Sequence, residues 1–251
     1  MTEKINDEEE LQVKSKERVK DFGEVFTNQR EVNAMLDLVK DESYRVDSRF
    51  LEPACGNGNF LVTILERKLE TVEKEHSANQ VDFEKQALVA VSTIYAIDIQ
   101  EDNCLEARQR MFEIVENAYN KAYPESKDSY FLNAVKYLLD KNIIHGDGLT
   151  GLRDEPEPDG EPIEFSEWTF DYEDLKVREF AMNDMVAHGK RESMNEENMK
   201  KESNSLFNLG GIVAEKEELK PVYEYTIEDY KEFFANYRRM RLRISSQDIG
   251  R

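Results

Sequence analysis

Apolar positions recur along this chain at two spacings, and the spacing changes from segment to segment. In residues 29–40, Val32, Met35, Leu36 and Val39 follow the three-and-four rhythm of a helix that buries one side. Residues 59–70 repeat it with Phe60, Leu61, Ile64 and Leu65. Residues 81–91, 101–121 and 129–141 read as further helices, and residues 7–20 as a polar one. Between them stand short β-branched or aromatic runs at 49–52, 93–99 and 142–145, which read as strands. This alternation predicts a parallel sheet covered on both faces. Past residue 150 the pattern thins. Residues 151–162 hold three of the six prolines and read as a loop. Residues 163–168 and 206–213 read as strands, 190–204 as a polar exposed stretch, and 226–240 as a helix with one aromatic face.

The segment richest in chemistry is residues 50–61 (FLEPACGNGNFL). A strand runs into a loop with Gly56 and Gly58, then into a helix. Glycines there permit a tight turn and close approach of a ligand to the main chain. The helix N-terminus adds unpaired N–H groups. An acid, Asp98, ends the 93–99 strand 40 residues after Gly58. A dinucleotide fingerprint places its acid only about 20 residues on, so the spacing argues against a nicotinamide enzyme.

Residues 52–60 (EPACGNGNF) resemble the cofactor loop of S-adenosylmethionine-dependent DNA methyltransferases. The likeness is nearest to the adenine-N6 enzymes and to modification subunits of restriction systems, which often carry (D/E)-P-A-x-G-x-G-x-F. Residues 22–27 (FGEVFT) resemble their N-terminal motif, with Asn28 where a proline often stands. Residues 94–99 (IYAIDI) resemble the second-strand motif, and residues 142–148 (NIIHGDG) the third-strand motif. The resemblance implies a Rossmann-like class I α/β fold with a parallel-rich sheet and N-terminal helices. It implies a cofactor loop of Glu52, Pro53, Ala54, Gly56, Gly58 and Phe60. It places Phe26 and Thr27 at the methionine end, Asp98 on the ribose hydroxyls with Ile99 beside it, and Asp147 with Gly148 near the adenine. Thr27 also suits the N-cap of the following helix, and Asp98 and Asp147 suit ordinary strand-end caps.

The family's (D/N/S)-P-P-(Y/F/W) motif, which holds the target amino group and stacks on the flipped base, is missing. No two of the six prolines adjoin. At the expected distance after Asp147 stand Ser166 and Trp168, which mimic its first and last chemical types; a core role for Trp168 is the plainer reading. The motifs cover residues 22–148, about half the chain. The fold is expected to be incomplete at its C-terminal end. Residues 1–40 are expected to form a helical segment, 41–170 the cofactor-binding core, and 171–251 a polar extension that completes the domain or contacts a partner.

Charge sharpens that conflict. The chain carries 54 acids against 34 Lys and Arg, a net charge of −20. The acidity is spread through the sequence and excludes an overall electrostatic grip on DNA. One basic cluster, Arg238, Arg239, Arg241 and Arg243, interrupts it. The expected function is therefore an S-adenosylmethionine-dependent adenine-N6 methyltransferase that reaches DNA through a partner subunit, in a hetero- or homo-oligomer. Two alternatives stand beside it: a non-catalytic cofactor-binding or assembly subunit, and a DNA mimic. Three scattered histidines offer no metal site, and Cys55 and Cys104 form no CxxC pair or disulfide framework. The acidic start and the lack of any apolar run of about 18 residues lead to the expectation of a cytoplasmic protein without a membrane span.

Overall fold

Three helices lead into the core: α1 (Lys16–Phe22), α2 (Gln29–Asp37) and α3 (Lys40–Tyr44). The structure is a computed structural model and describes residues 13–126, 129–153, 160–185 and 219–236. The strand expected at 206–213, the polar stretch at 190–204 and the cluster Arg238, Arg239, Arg241 and Arg243 lie outside the described residues. Ser15 caps α1 by accepting the Arg18 N–H, and Gly23 ends it in the left-handed conformation. Asn28, not Thr27, caps α2, by accepting the Arg30 N–H at 2.9 Å.

Repeated strand–helix units follow. Strand β1 (Phe50–Glu52) leads into α4 (Asn59–His76) and α5 (Gln80–Ser92). Strand β2 (Ile94–Asp98) leads into α6 (Glu101–Ala122) and α7 (Ser129–Asn142), and β3 (Ile143–Asp147) ends the run. The three strands are parallel and adjacent in that order, with Leu51 opposite Tyr95 and Ile97 opposite Ile144. All four long helices pack on one face of this sheet. Leu61, Leu65, Phe83, Met111 and Leu138 enclose Ile94, Ala96 and Ile143 there. Burying each such large side chain contributes about 1.5–3 kcal/mol.

The opposite face is covered differently. Strand β4 (Leu152–Arg153) pairs antiparallel with β3. Strands β5 (Glu164–Asp171), β6 (Asp174–Ala181) and β7 (Tyr223–Ile227) then form a separate antiparallel meander. Alternation along β5 serves two cores at once. Phe165 joins Tyr95, Ile97, Ile144, Ile163 and Met182, while Trp168 joins the helical cluster. The result is a mixed α/β protein with a parallel-rich sheet. Cover on both faces is found at β2 and β3 but not at β1. There Leu51 is 46% exposed, and no strand among the described residues pairs with the outer edge. Residues 223–227, at the start of the region expected to be helical, straddle that boundary as β7, and the helix occupies 230–236 within the described part. Its aromatic face is present: Tyr230 and Phe234 are buried, and Phe234 packs on Tyr137.

Two consecutive cations on α4 fix the segment that enters β1. Arg67 binds Asp37 at 2.7 Å and Ser43 at 3.0 Å and lies over the Tyr44 ring, which ties α2 and α3 to the core. Lys68 is fully buried. Its ammonium donates to Thr93 Oγ1 at 2.6 Å, to the Val46 carbonyl at 3.1 Å and to the Ser48 carbonyl. Burial draws its pKa down to about 7. No helix among the described residues is long and apolar enough to cross a membrane.

Candidate cofactor site

The glycine loop joins β1 to α4 and is pinned from below by β2. Cys55 donates its N–H to the Ile97 carbonyl at 2.9 Å, and Gly58 donates to the Cys55 carbonyl at 2.9 Å. Gly56 (φ 53°) and Gly58 (φ 87°) take left-handed conformations that side chains disfavour. Space excludes them too. A Cβ on Gly56 would lie 2.9 Å from the Phe26 ring, and one on Gly58 2.9 Å from Ala107 Cβ. At Gly148 it would lie 2.4 Å from the Pro53 carbonyl, so the loops after β1 and β3 touch.

Above the loop lies a recess of about 100 Å³. Phe26, Thr27, Glu52, Ala54, Gly56 and Phe60 line it, joined by Asn57 and Asn59. Six of the residues expected at the cofactor are thus gathered by two elements far apart in sequence. The joint is specific: Asn59 Nδ2 donates to the Thr27 carbonyl at 2.9 Å. Burial raises the Glu52 carboxyl above its ordinary range. Pockets that enclose a whole ligand hold about 300–1,000 Å³, so this recess fits one end of a ligand of nucleoside size.

Asp98 stands at the end of β2 and is buried. Its Oδ2 accepts the Gly56 N–H at 2.7 Å. Its Oδ1 accepts the Gln100 N–H at 2.9 Å and the Asn103 side chain at 3.1 Å. The acid therefore shapes the loop and helps start α6. Ile99 leaves its side chain 46% exposed, and its carbonyl accepts from His145 Nε2 at 3.1 Å. Asp147 accepts the Leu149 N–H at 2.8 Å in a turn after β3, followed by Gly148. Pro53, Gly58, Asp98, Ile99, Asp147 and Gly148 line no part of the recess. The elements of the last four, β2 and β3, lie successively further from β1 in the sheet.

Ser166 and Trp168 are placed elsewhere. Ser166 is buried on β5, with its hydroxyl 3.3 Å from Glu179. It lines a different cavity of about 270 Å³ with Arg49, Tyr95 and Arg178. Trp168 is a core residue: its indole N–H donates to Asn142 Oδ1 at 3.0 Å, and its ring meets Tyr137 edge-on. Neither lines the recess.

Several site residues carry no sequence signal. Arg110 donates to the Asn57 carbonyl at 2.6 Å and to Asn59 Oδ1 at 2.9 Å, clamping the loop from α6. Asn103 and Glu24 join the group around Asp98. Asn57 Oδ1 and Glu24 Oε1 are buried without a hydrogen-bond partner. Cys55 and Cys104, 49 residues apart in sequence, meet beneath the loop as free thiols. Cys55 Sγ donates to the Gly56 carbonyl at 3.5 Å and Cys104 Sγ to the Asp98 carbonyl at 3.7 Å, and the closeness of the two thiols raises the pKa of Cys55 while that of Cys104 falls.

Loop, acid and recess form one connected unit. No family model, no curated protein and no solved structure matches this chain.

Proposed function

We propose that the chain is the cofactor-binding part of a Rossmann-like, S-adenosylmethionine-dependent methyltransferase of the DNA adenine-N6 class. One observation carries the reading. Gly56, which lines the recess together with Phe26 and Thr27, donates its N–H to the strand-end acid Asp98. A glycine turn, an acid one strand away and a helix N-terminus suit a ligand with a charged amino-acid end and a ribose. Bound S-adenosylmethionine supplies an electrophilic methyl group on a sulfonium. The chain's own residues hold and orient it: Phe26, Thr27 and the loop around the methionine end, Asp98 at the ribose, and Ile99 and Asp147 toward the adenine. Isothermal titration with S-adenosylmethionine tests the reading. Heat of binding is expected from the wild type and none from Asp98→Ala; a wild type that gives no heat would sink it.

A second reading rests on the open edge of β1 and on the buried places of Ser166 and Trp168. Among the described residues neither Ser166 nor Trp168 lines the recess. On this reading the chain holds the cofactor and a partner supplies the acceptor side, which also suits a net charge of −20. Methyl transfer to adenine-containing DNA, measured with radiolabelled cofactor on the purified chain alone, separates the two. Incorporation by the lone chain excludes the second reading.

A further inference from the structure

A second cavity, of about 270 Å³, shares no lining residue with the recess. The register of the meander builds it. Phe165 on β5 stands opposite Phe180 on β6, and two steps along Glu167 stands opposite Arg178, so these four side chains fall on one face. That face meets the parallel sheet at Tyr95, whose ring packs edge-on against Phe165 at 5.4 Å. Arg49, just before β1, joins the lining.

The lining divides in two. The rings of Tyr95, Phe165 and Phe180 are almost fully buried, whereas the side chains of Arg49 and Arg178 stay 62% and 45% exposed. The cavity is therefore apolar inside and cationic at its mouth. The Tyr95 hydroxyl donates to the Ser166 carbonyl at 2.8 Å, which leaves its ring for a ligand. Arg178 lies 5.6 Å over the Phe180 ring, which ties the mouth to the rings. Glu167 accepts from Nη2 of both arginines and holds their guanidiniums side by side. Among the described residues it is the one acid in the lining, so two cations share one carboxylate and a positive charge is left over. A guanidinium carries five N–H donors in a planar fork, so each arginine keeps donors beyond the nitrogen that Glu167 takes.

We propose that this cavity is a second binding site, for a planar aromatic carboxylate that lays its ring among Tyr95, Phe165 and Phe180 and sets its carboxylate between Arg49 and Arg178. Its volume fits. Drug-sized ligands fill about 300–1,000 Å³, so this cavity takes one ring or two fused ones. A neutral ring leaves the forks without a partner, and an inorganic anion makes no use of the aromatic walls.

Calorimetry on the full chain at low salt, with naphthoate, naphthamide and inorganic phosphate, tests the assignment. The wild type is expected to bind naphthoate, and to bind the amide and phosphate at least about 10-fold more weakly. Both forks stand at the mouth, so naphthoate binding is expected to weaken as salt is raised. Arg49→Met and Arg178→Met are each expected to weaken naphthoate on the order of 10-fold and to flatten its salt dependence. Should Arg178→Met melt early, Arg178→Lys keeps the charge and removes the fork; affinity is expected to fall while the salt dependence stays. No heat from naphthoate, an amide or phosphate that binds as well, or arginine variants that bind naphthoate as the wild type does would each overturn the assignment. All of these outcomes are read without S-adenosylmethionine, so they leave the cofactor reading to its own test.

Discussion

The two faces of the β1–β3 sheet are built on different terms. On one, four helices close over Ile94, Ala96 and Ile143 and leave all three essentially unexposed. On the other, cover comes from β5 and its flanks, reaches Tyr95, Ile97 and Ile144, and stops before Leu51. The helical face follows directly from chain order, since β1 and β2 are each succeeded by helices that fold back on the sheet. The second face depends on chain that arrives after β3, and here that chain turns into an antiparallel meander. The sheet thus has a finished side that carries stability and an unfinished corner beside the glycine loop.

Substitutions can break or sharpen this contrast. The largest effect belongs to the helical face. Phe83 is fully buried against Tyr119 and Tyr123, and Phe83→Ala is expected to cost about 3–5 kcal/mol in urea denaturation. Next comes a pH effect on the same side. The Lys68 pKa is about 7 in the fold, against roughly 10.4 unfolded. Between those values the unfolded chain binds more protons, so stability rises with pH across that window, and is lost as pH falls through it until it levels off below about 7. The slope is expected to reach up to about 1.4 kcal/mol per pH unit. Comparing denaturation curves of the wild type and Lys68→Met checks it, and an unchanged slope in the variant refutes it. Where β5 bridges the two faces, Trp168→Phe removes the bond to Asn142 and is expected to cost about 1–2 kcal/mol. Cofactor affinity by calorimetry should not move. The smallest effect is expected at the corner itself: Leu51→Asp should change stability by no more than about 0.5 kcal/mol. A penalty of core size there would mean that the corner is covered, and the contrast would fall.

The helical face was largely legible in the sequence because its signals are local. Apolar periodicity and β-branched runs put α4–α7 and β1–β3 within a few residues of their places, although α4 runs on to His76. The second face was not. Strand β6 alternates Leu175 and Val177 inward with Lys176 and Arg178, but its charges hide a half-buried strand. Strand β7 exposes four of its five residues and offers no alternation to read. The site divides in the same way. Gly56, Gly58 and Asp98 stood out because turns and strand ends impose residue types at fixed spacings. Glu24, Asn103 and Arg110 did not. Glu24 is 79 residues from the Asn103 it bonds, and Arg110 is 53 from Asn57, so only tertiary packing brings them together. Trp168 likewise found its partner 26 residues away in Asn142, a contact that no motif spacing encodes.

The order of the strands has one more consequence. Strand β4 occupies the outer side of β3 and is itself backed through Leu152 and Pro162. Among the described residues the outer side of β1 has no such stop. A sheet closed at one end and open at the other is a polarised template, and it can be extended in one direction only. Pro53 follows β1 at once and has no N–H to donate, so the template offers three residues and then ends. Any added strand is confined to that short stretch, and its terminus is delivered to the rim of the recess. The open edge of β1 and the recess therefore share Glu52, the last residue of the strand.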